Sequence, residues 1–278
     1  MKFCDNHNDF LTELKTEKEI SNYINKINKD KNLKYVCAVI WTSKIKKPLK
    51  VLKDIYDKYF LTKTKLLFCI EDLGFINKKN LSESLSLLIK LKPFYCGLVW
   101  NNDNLLGGGA YGKKGLTKLG KVVIQTLEKN KILIDTAHMN KKTFYGFAKI
   151  SNFPIYNSHS NLTFFKADKR NLNLKQIKTI VNSKGLICLS FVQAFIFDYL
   201  IDLQFIIKQT AYLIAKIGDN NISFGSDFYG TKKLPIDLTR YENLKKLRFC
   251  MIKEGISQES VDKIFYKNFL NFKNKIKN

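Results

Sequence analysis

Histidine is scarce in this chain, with three among 278 residues. Arginine is as rare: it stands only at Arg170, Arg240 and Arg248 among 48 basic residues. No pair of the six cysteines has the C-x-x-C spacing of a zinc knuckle or a dithiol redox motif. No stretch approaches ~20 consecutive apolar residues, so the sequence predicts no membrane partner. The opening residues, Met1 to His7, lack the apolar core of a signal peptide and turn polar at once. A soluble, cytoplasmic protein is therefore expected. Five of the cysteines (Cys4, Cys37, Cys69, Cys96 and Cys188) lie inside apolar runs and read as small buried hydrophobes, as suits a reducing compartment. The net charge of +24 comes from lysine spread along the whole chain, with no ribonucleoprotein signature. It reads as a solvated surface, and no specific nucleic-acid partner is expected.

Hydrophobic residues make up 45% of the chain, enough for a sizeable core. Eight short apolar runs occur at 2–7, 35–41, 65–71, 94–100, 131–138, 153–159, 185–192 and 221–228. Each is rich in Val, Ile, Leu, Phe or Tyr and bounded by polar, Gly or Pro residues, as expected for strands buried on both faces of a parallel sheet. Between them, 17–28, 49–60, 81–91, 117–130, 174–183 and 203–217 carry helical periodicity, and two further helices are predicted near 237–254 and 258–274. Strand alternating with helix over this length predicts one α/β domain, residues 1–278. The architecture expected is a (β/α)₈ TIM-type barrel with C-terminal helices. An open doubly wound sheet is the competing fold, but no G-x-G-x-x-G follows a strand.

Each histidine ends a predicted strand, where a barrel gathers its functional residues. His7 closes the first, with Asp9 two residues on and so able to share its face. Glu71 ends the third, inside an apolar run where a carboxylate is expensive. His138 ends the fifth, His159 the sixth, and Asp227 lies at the end of the eighth. Three imidazoles and three carboxylates around one mouth are costly to bury without a cation. Mixed nitrogen and oxygen donors suit zinc, or manganese, iron, cobalt or nickel. Asp9 and Asp227 read equally well as helix caps, and Asp135 as a partner of a metal ligand or a structural residue.

These residues resemble the membrane (renal) dipeptidase family and its soluble bacterial branch. Asp5-Asn6-His7-Asn8-Asp9 is similar to the family's D-G-H-N-D, and Ile70-Glu71 to its I-E-G. Trp100-Asn101 with Asn104-Leu105 resembles T-W-N-x-x-N-x-L. Residues 115–120 resemble G-L-T-x-x-G, and 134–138 the family's fifth-strand segment. Pro154 with 158–161 resembles P-x-x-x-S-H-S-N, 170–172 resembles R-N-L, and 224–230 resembles G-S-D-F-D-G. The resemblance implies a barrel of the metal-dependent hydrolase type: a metal-dependent dipeptidase with two divalent ions, zinc by the donor types, acting on a small peptide substrate through a hydroxide held between the metals. It implies that His7, Asp9 and Glu71 hold one ion, and Glu71, His138 and His159 the other. Glu71 and Asp227 would be the catalytic carboxylates, with Asp227 moving the proton. Arg170 would grip the substrate carboxylate, with Trp100 and Asn101 beside it. A homodimer is compatible with this reading.

The chain departs from the family pattern at four positions. Trp100 stands where mammalian members have a histidine, Asp72 follows the bridging glutamate in place of glycine, Asn6 replaces glycine, and Tyr229 replaces the last aspartate. Two alternatives therefore stand beside a dipeptidase: another amide, lactam or ester hydrolase of the same barrel type, and a non-catalytic metal-binding relative.

Overall fold

The computed structural model describes residues 1–43, 45–62 and 64–277. Eight strands among them form one parallel sheet in sequence order. They are β1 (Phe3–Asn8), β2 (Leu33–Trp41), β3 (Leu66–Glu71), β4 (Tyr95–Gly97), β5 (Leu133–Asp135), β6 (Tyr156–Ser160), β7 (Leu186–Ser190) and β8 (Ile222–Gly225). The sheet curls back on itself beyond β8. The Asp9 amide donates to the Phe228 carbonyl at 3.0 Å, and the Asp227 amide to that of His7 at 3.0 Å. These two bonds close the barrel at its upper rim, and they also set His7, Asp9 and Asp227 side by side.

Helices cover the outside: α1 (Phe10–Glu13), α2 (Glu17–Lys29), α3 (Pro48–Tyr59), α4 (Leu81–Leu91), α5 (Lys118–Lys129), α6 (Lys141–Ala148), α7 (Leu174–Asn182) and α8 (Gln204–Ile217). Their starts are chemically marked. Thr16 and Asn173 form reciprocal capping boxes with Glu19 and Gln176, and Pro48 opens α3 at the position that needs no amide donor. Helices α9 (Leu244–Lys253), α10 (Gln258–Asp262) and α11 (Asn268–Lys277) complete the described chain, with a π-helical turn, Lys263–Lys267, between the last two. No helix among the described residues is long and apolar enough to cross a membrane.

The barrel floor is built from small thiols and large rings. Cys4, Cys37, Cys69 and Cys188 leave room for Tyr95 and Tyr156, and Phe269, Phe272 and Ile276 of α11 seal the floor. Phe269 meets Phe94 edge-on at 5.6 Å between centroids, and Phe272 stacks on Tyr156 at 5.4 Å. Each fully buried side chain of this kind contributes roughly 1.5–3 kcal/mol. The five cysteines assigned to apolar runs are buried and free. A second apolar layer, including Val36, Ala38, Ile40, Ile70 and Leu189, lies between sheet and helices.

The structure shortens several predicted strands. The run 94–100 pairs only over Tyr95–Gly97, and 131–138 only over Leu133–Asp135. His138 therefore lies beyond β5, in the left-handed region at φ 66°. His159 sits inside β6, one residue before its end. Asp227 is likewise past its strand, at φ 60°. Helix α6 had no counterpart in the sequence reading, because only Thr143, Phe144 and Phe147 of its eight residues are buried. The helix expected from 237 begins at Leu244, since 237–243 form a turn and one 3₁₀ segment.

Candidate metal centre

The side chains singled out at the strand ends converge on one atom, Glu71 Oε1. It lies 3.0 Å from His138 Nε2, 3.6 Å from His159 Nε2 and 3.7 Å from His7 Nε2. His138 and His159 place their Nε2 atoms 3.0 Å apart. His7 Nε2 is 3.2 Å from Asp9 Oδ2. Two donor groups follow, each with its ligand atoms within 4.8 Å of one another: His7, Glu71 and His159, and His7, Asp9 and Asp227. Arg170, from the loop between β6 and α7, donates from Nη2 to His159 Nε2 at 2.9 Å.

The far side of each imidazole fixes which nitrogen faces the cluster. The Tyr95 hydroxyl donates to the Asn6 carbonyl at 3.2 Å, so it can accept from Nδ1–H of His7, 2.9 Å away. Asn101 Oδ1 accepts at 3.0 Å from Nδ1 of His138. Ser158 Oγ lies 2.7 Å from Nδ1 of His159 and donates its own proton to Asp135 at 2.6 Å. In their neutral forms all three rings thus turn Nε2 lone pairs toward a carboxylate oxygen. Glu71 Oε1 is buried and receives no hydrogen bond among the described residues. Lone pairs and a carboxylate packed this closely repel each other, and a divalent cation removes the conflict. The donor set therefore fits a metal.

With protein groups alone, the conflict is answered by protonation. Burial pulls the His7 imidazole down, but Asp9, Glu71 and Asp227 more than offset it and raise its pKa to about 10. Burial, reinforced by Arg170, drives His138 down to about 4. Burial and the positive His7 and Arg170 push His159 well below the usual range. Burial would raise Glu71, yet His138, His7 and Arg170 hold it below the ordinary carboxylate range. Asp227 goes the other way, pushed well up by burial and by the Asp9 charge. Paired carboxylates driven apart in this manner mark sites that handle protons.

A cavity of about 230 Å³ opens above the cluster, bordered by Trp41, Trp100, Asn101, Arg170, Asp227 and others. The Trp41 and Trp100 rings lie 4.7 Å apart, and Trp100 stands 5.8 Å from the His138 ring. The added Asp72 carboxylate accepts from the Gly74 amide of its own loop at 2.8 Å and from Asn104 of the loop between β4 and α5 at 3.1 Å. Asn6 spans the barrel interior, donating to Ser223 and Phe224 and accepting from the Tyr156 hydroxyl at 2.8 Å.

Four residues of the site's framework were not singled out from the sequence. Tyr95 looked like core filling, although a buried phenol must find a partner. Ser158 belongs to the segment that resembles S-H-S-N but carried no role of its own there. Asp5 accepts from the Ser226 amide and hydroxyl at 2.8 and 2.6 Å and from Tyr241 at 2.6 Å, tying the Asp227 turn to β1. Gly230 packs against the carboxylates of Asp227 and Asp9 so tightly that a β-carbon there would overlap both.

Several known proteins are similar to this chain. An uncharacterized protein from the pqqA 5′ region of Klebsiella pneumoniae is 31% identical over 199 residues, 65% of this chain and 73% of its own. Dipeptidase tcpJ of Claviceps purpurea (strain 20.1) is 22% identical over 205 residues, covering 69% of this chain and 46% of its own. A metallopeptidase from Rhodobacter sphaeroides, bound to a phosphinate mimic of the dipeptide L-Ala-D-Ala, superposes with a TM-score of 0.84 at 18% identity over 99% of both chains. A dipeptidase of peptidase family M19 gives 0.83 at 19% identity, over 99% of this chain and 98% of the other. At such identities the structural likenesses establish the fold. The membrane dipeptidase family (peptidase family M19) matches residues 42–278, and the chain belongs to that family.

Proposed function

We propose that the chain, acting as one domain, is a metal-dependent dipeptidase with two divalent ions, zinc by the nature of its donors. The observation that carries this reading is the convergence of three Nε2 atoms on Glu71 Oε1, with Asp9 and Asp227 completing a second donor group beside it. In this proposal His7, Asp9 and Glu71 hold one ion, and Glu71, His138 and His159 the other. The bound ions supply positive charge that acidifies water and polarises a carbonyl.

The chain's own residues do the rest. Arg170 would pair with the free carboxylate of a short peptide, a task its planar fork suits. Its Nε is buried without a hydrogen-bond partner among the described residues, which leaves donor capacity. Holding the free carboxylate there would favour dipeptides over long chains. Asp227, with its raised proton affinity, would accept a proton during attack and return it to the leaving amine. Trp100 and Asn101 border the cavity, and Asn101 also orients His138. The free buried cysteines support a cytoplasmic, reducing setting.

The test is zinc content of the purified protein, followed by assay against L,L and L,D dipeptides with and without chelator. The proposal expects chelator-sensitive dipeptide hydrolysis that His138→Ala lowers at least about 100-fold, the scale of losing one electrostatic contributor to the transition state. Unchanged hydrolysis in that variant would overturn it. Activity confined to lactams or esters would favour the second reading, a hydrolase of the same barrel with another substrate; the Trp41–Trp100 wall beside His138 is the feature that motivates it.

A further inference from the structure

Ser158 has one hydroxyl proton and two oxygen lone pairs, and the structure provides a partner for each. The proton goes to Asp135 Oδ2 at 2.6 Å. The other oxygen, Oδ1, receives the amides of Ser158 at 2.8 Å and Ala137 at 3.1 Å, two donors that favour the ionised, purely accepting form of Asp135. The two lone pairs then face His159 Nδ1 at 2.7 Å and His7 Nδ1 at 3.3 Å. The last contact is shared, since His7 Nδ1 also meets the Tyr95 hydroxyl at 2.9 Å. Both Ser158 and Asp135 are buried, so water cannot stand in for either.

We infer that Ser158, oriented by Asp135, is a positioning residue that sets the ligating nitrogen of His159 and shares with Tyr95 in setting that of His7. These two rings come from β1 and β6, on different sides of the barrel, and meet tilted at 39° with 3.7 Å between centroids. In the assignment proposed above they serve different ions, and the inference rests on that reading for this point alone. One hydroxyl then makes the two halves of the centre interdependent. It keeps Nδ1 as the protonated nitrogen on His159 and, together with Tyr95, on His7, and leaves Nε2 free to bind; such support behind a ligand typically governs affinity about 10- to 100-fold.

Two substitutions separate this role from simple packing. Ser158→Ala removes the hydroxyl. Asp135→Asn keeps the shape but offers a donor, so Ser158 would have to turn its own proton toward an imidazole nitrogen. The measurements are zinc affinity and stoichiometry by chelator competition, and imidazole ¹⁵N spectra of the metal-free protein. With three histidines in the chain, those spectra contain three ring systems.

The inference expects Nδ1–H on His159 in the unsubstituted protein. It expects that preference to be lost in both variants, and zinc affinity to fall about 10- to 100-fold at both sites together, with circular dichroism retained. Wild-type affinity in Asp135→Asn, or His159 protonated on Nε2 in the unsubstituted protein, would overturn it. The Asp135→Asn result and the unsubstituted spectrum decide the matter even if Ser158→Ala fails to fold. Parallel loss of zinc in both variants supports the inference even where no dipeptide is hydrolysed, which separates its fate from that of the proposed activity.

Discussion

Gly230 shows how little space the carboxylate pair has. Asp227 and Asp9 leave no room for a β-carbon, and both carboxylates abut that spot. Gly230→Ala is therefore expected to displace two acidic groups while leaving the barrel intact. A shift of about 1 Å in such groups can cost about 100-fold in turnover. Dipeptidase assay beside a circular dichroism spectrum checks this, and full activity in the folded variant would contradict the crowding described. At this scale the sequence is informative where a residue type is out of place. Glu71 ends an apolar run and histidine is rare, so both draw attention. Tyr95 and Ser158 are ordinary in their surroundings. Their importance comes from hydroxyl directions that only the folded backbone defines.

Among the elements, α11 has a specific task, sealing the barrel floor. Phe269 is fully buried there, and Phe269→Ala should lower stability by about 3–5 kcal/mol, as emptying an aromatic site typically does. Denaturant unfolding measures that loss. Asp219 fastens the entry to β8 onto the C-terminal helices: it accepts from the Ser260 hydroxyl at 2.7 Å and from Lys263 at 3.2 Å. Its slight burial would raise the carboxyl pKa, but those donors prevail and hold it below the ordinary range. The folded pKa is thus depressed. The contribution is fully present above the unfolded value near ~3.9 and is lost as pH falls through the folded one. Asp219→Asn should lower Tm at pH 7 and leave it unchanged near pH 2. Strands were legible because burial on both faces writes continuous apolar runs. Helix α6 was not, since its few buried residues give too short a pattern. The turn carrying His138 reads as strand in sequence because its neighbours, Thr136 and Ala137, are buried as well.

For the whole molecule, stability and ligand loading should be linked. A cluster that repels itself without a cation is stabilised by anything that binds the folded state alone. Zinc at about 100 times its dissociation constant adds about 2.7 kcal/mol, which for a chain of this size corresponds to roughly 5–10 °C in Tm. Thermal melts with zinc and with chelator measure the difference, and identical curves would argue against metal binding. The barrel was readable from the order of strands and helices. Closure by two backbone bonds at 9, 227 and their partners was not, because no local pattern encodes where the ends of a sheet meet.

The short strand β5 has one more consequence. Its ladder to β6 is a single residue pair, Asp135 with Tyr156. Much of what holds the two strands together comes from side chains: Thr136 and Asn157 at 3.2 Å, and Asp135 with Ser158. The barrel therefore has a stitched seam here, where a wall such as β2–β3, with six paired residues, is woven, and the stitches include residues that aim the imidazoles. Amide exchange should be faster along that seam than between β2 and β3, and damage there would loosen the wall and the centre in the same event.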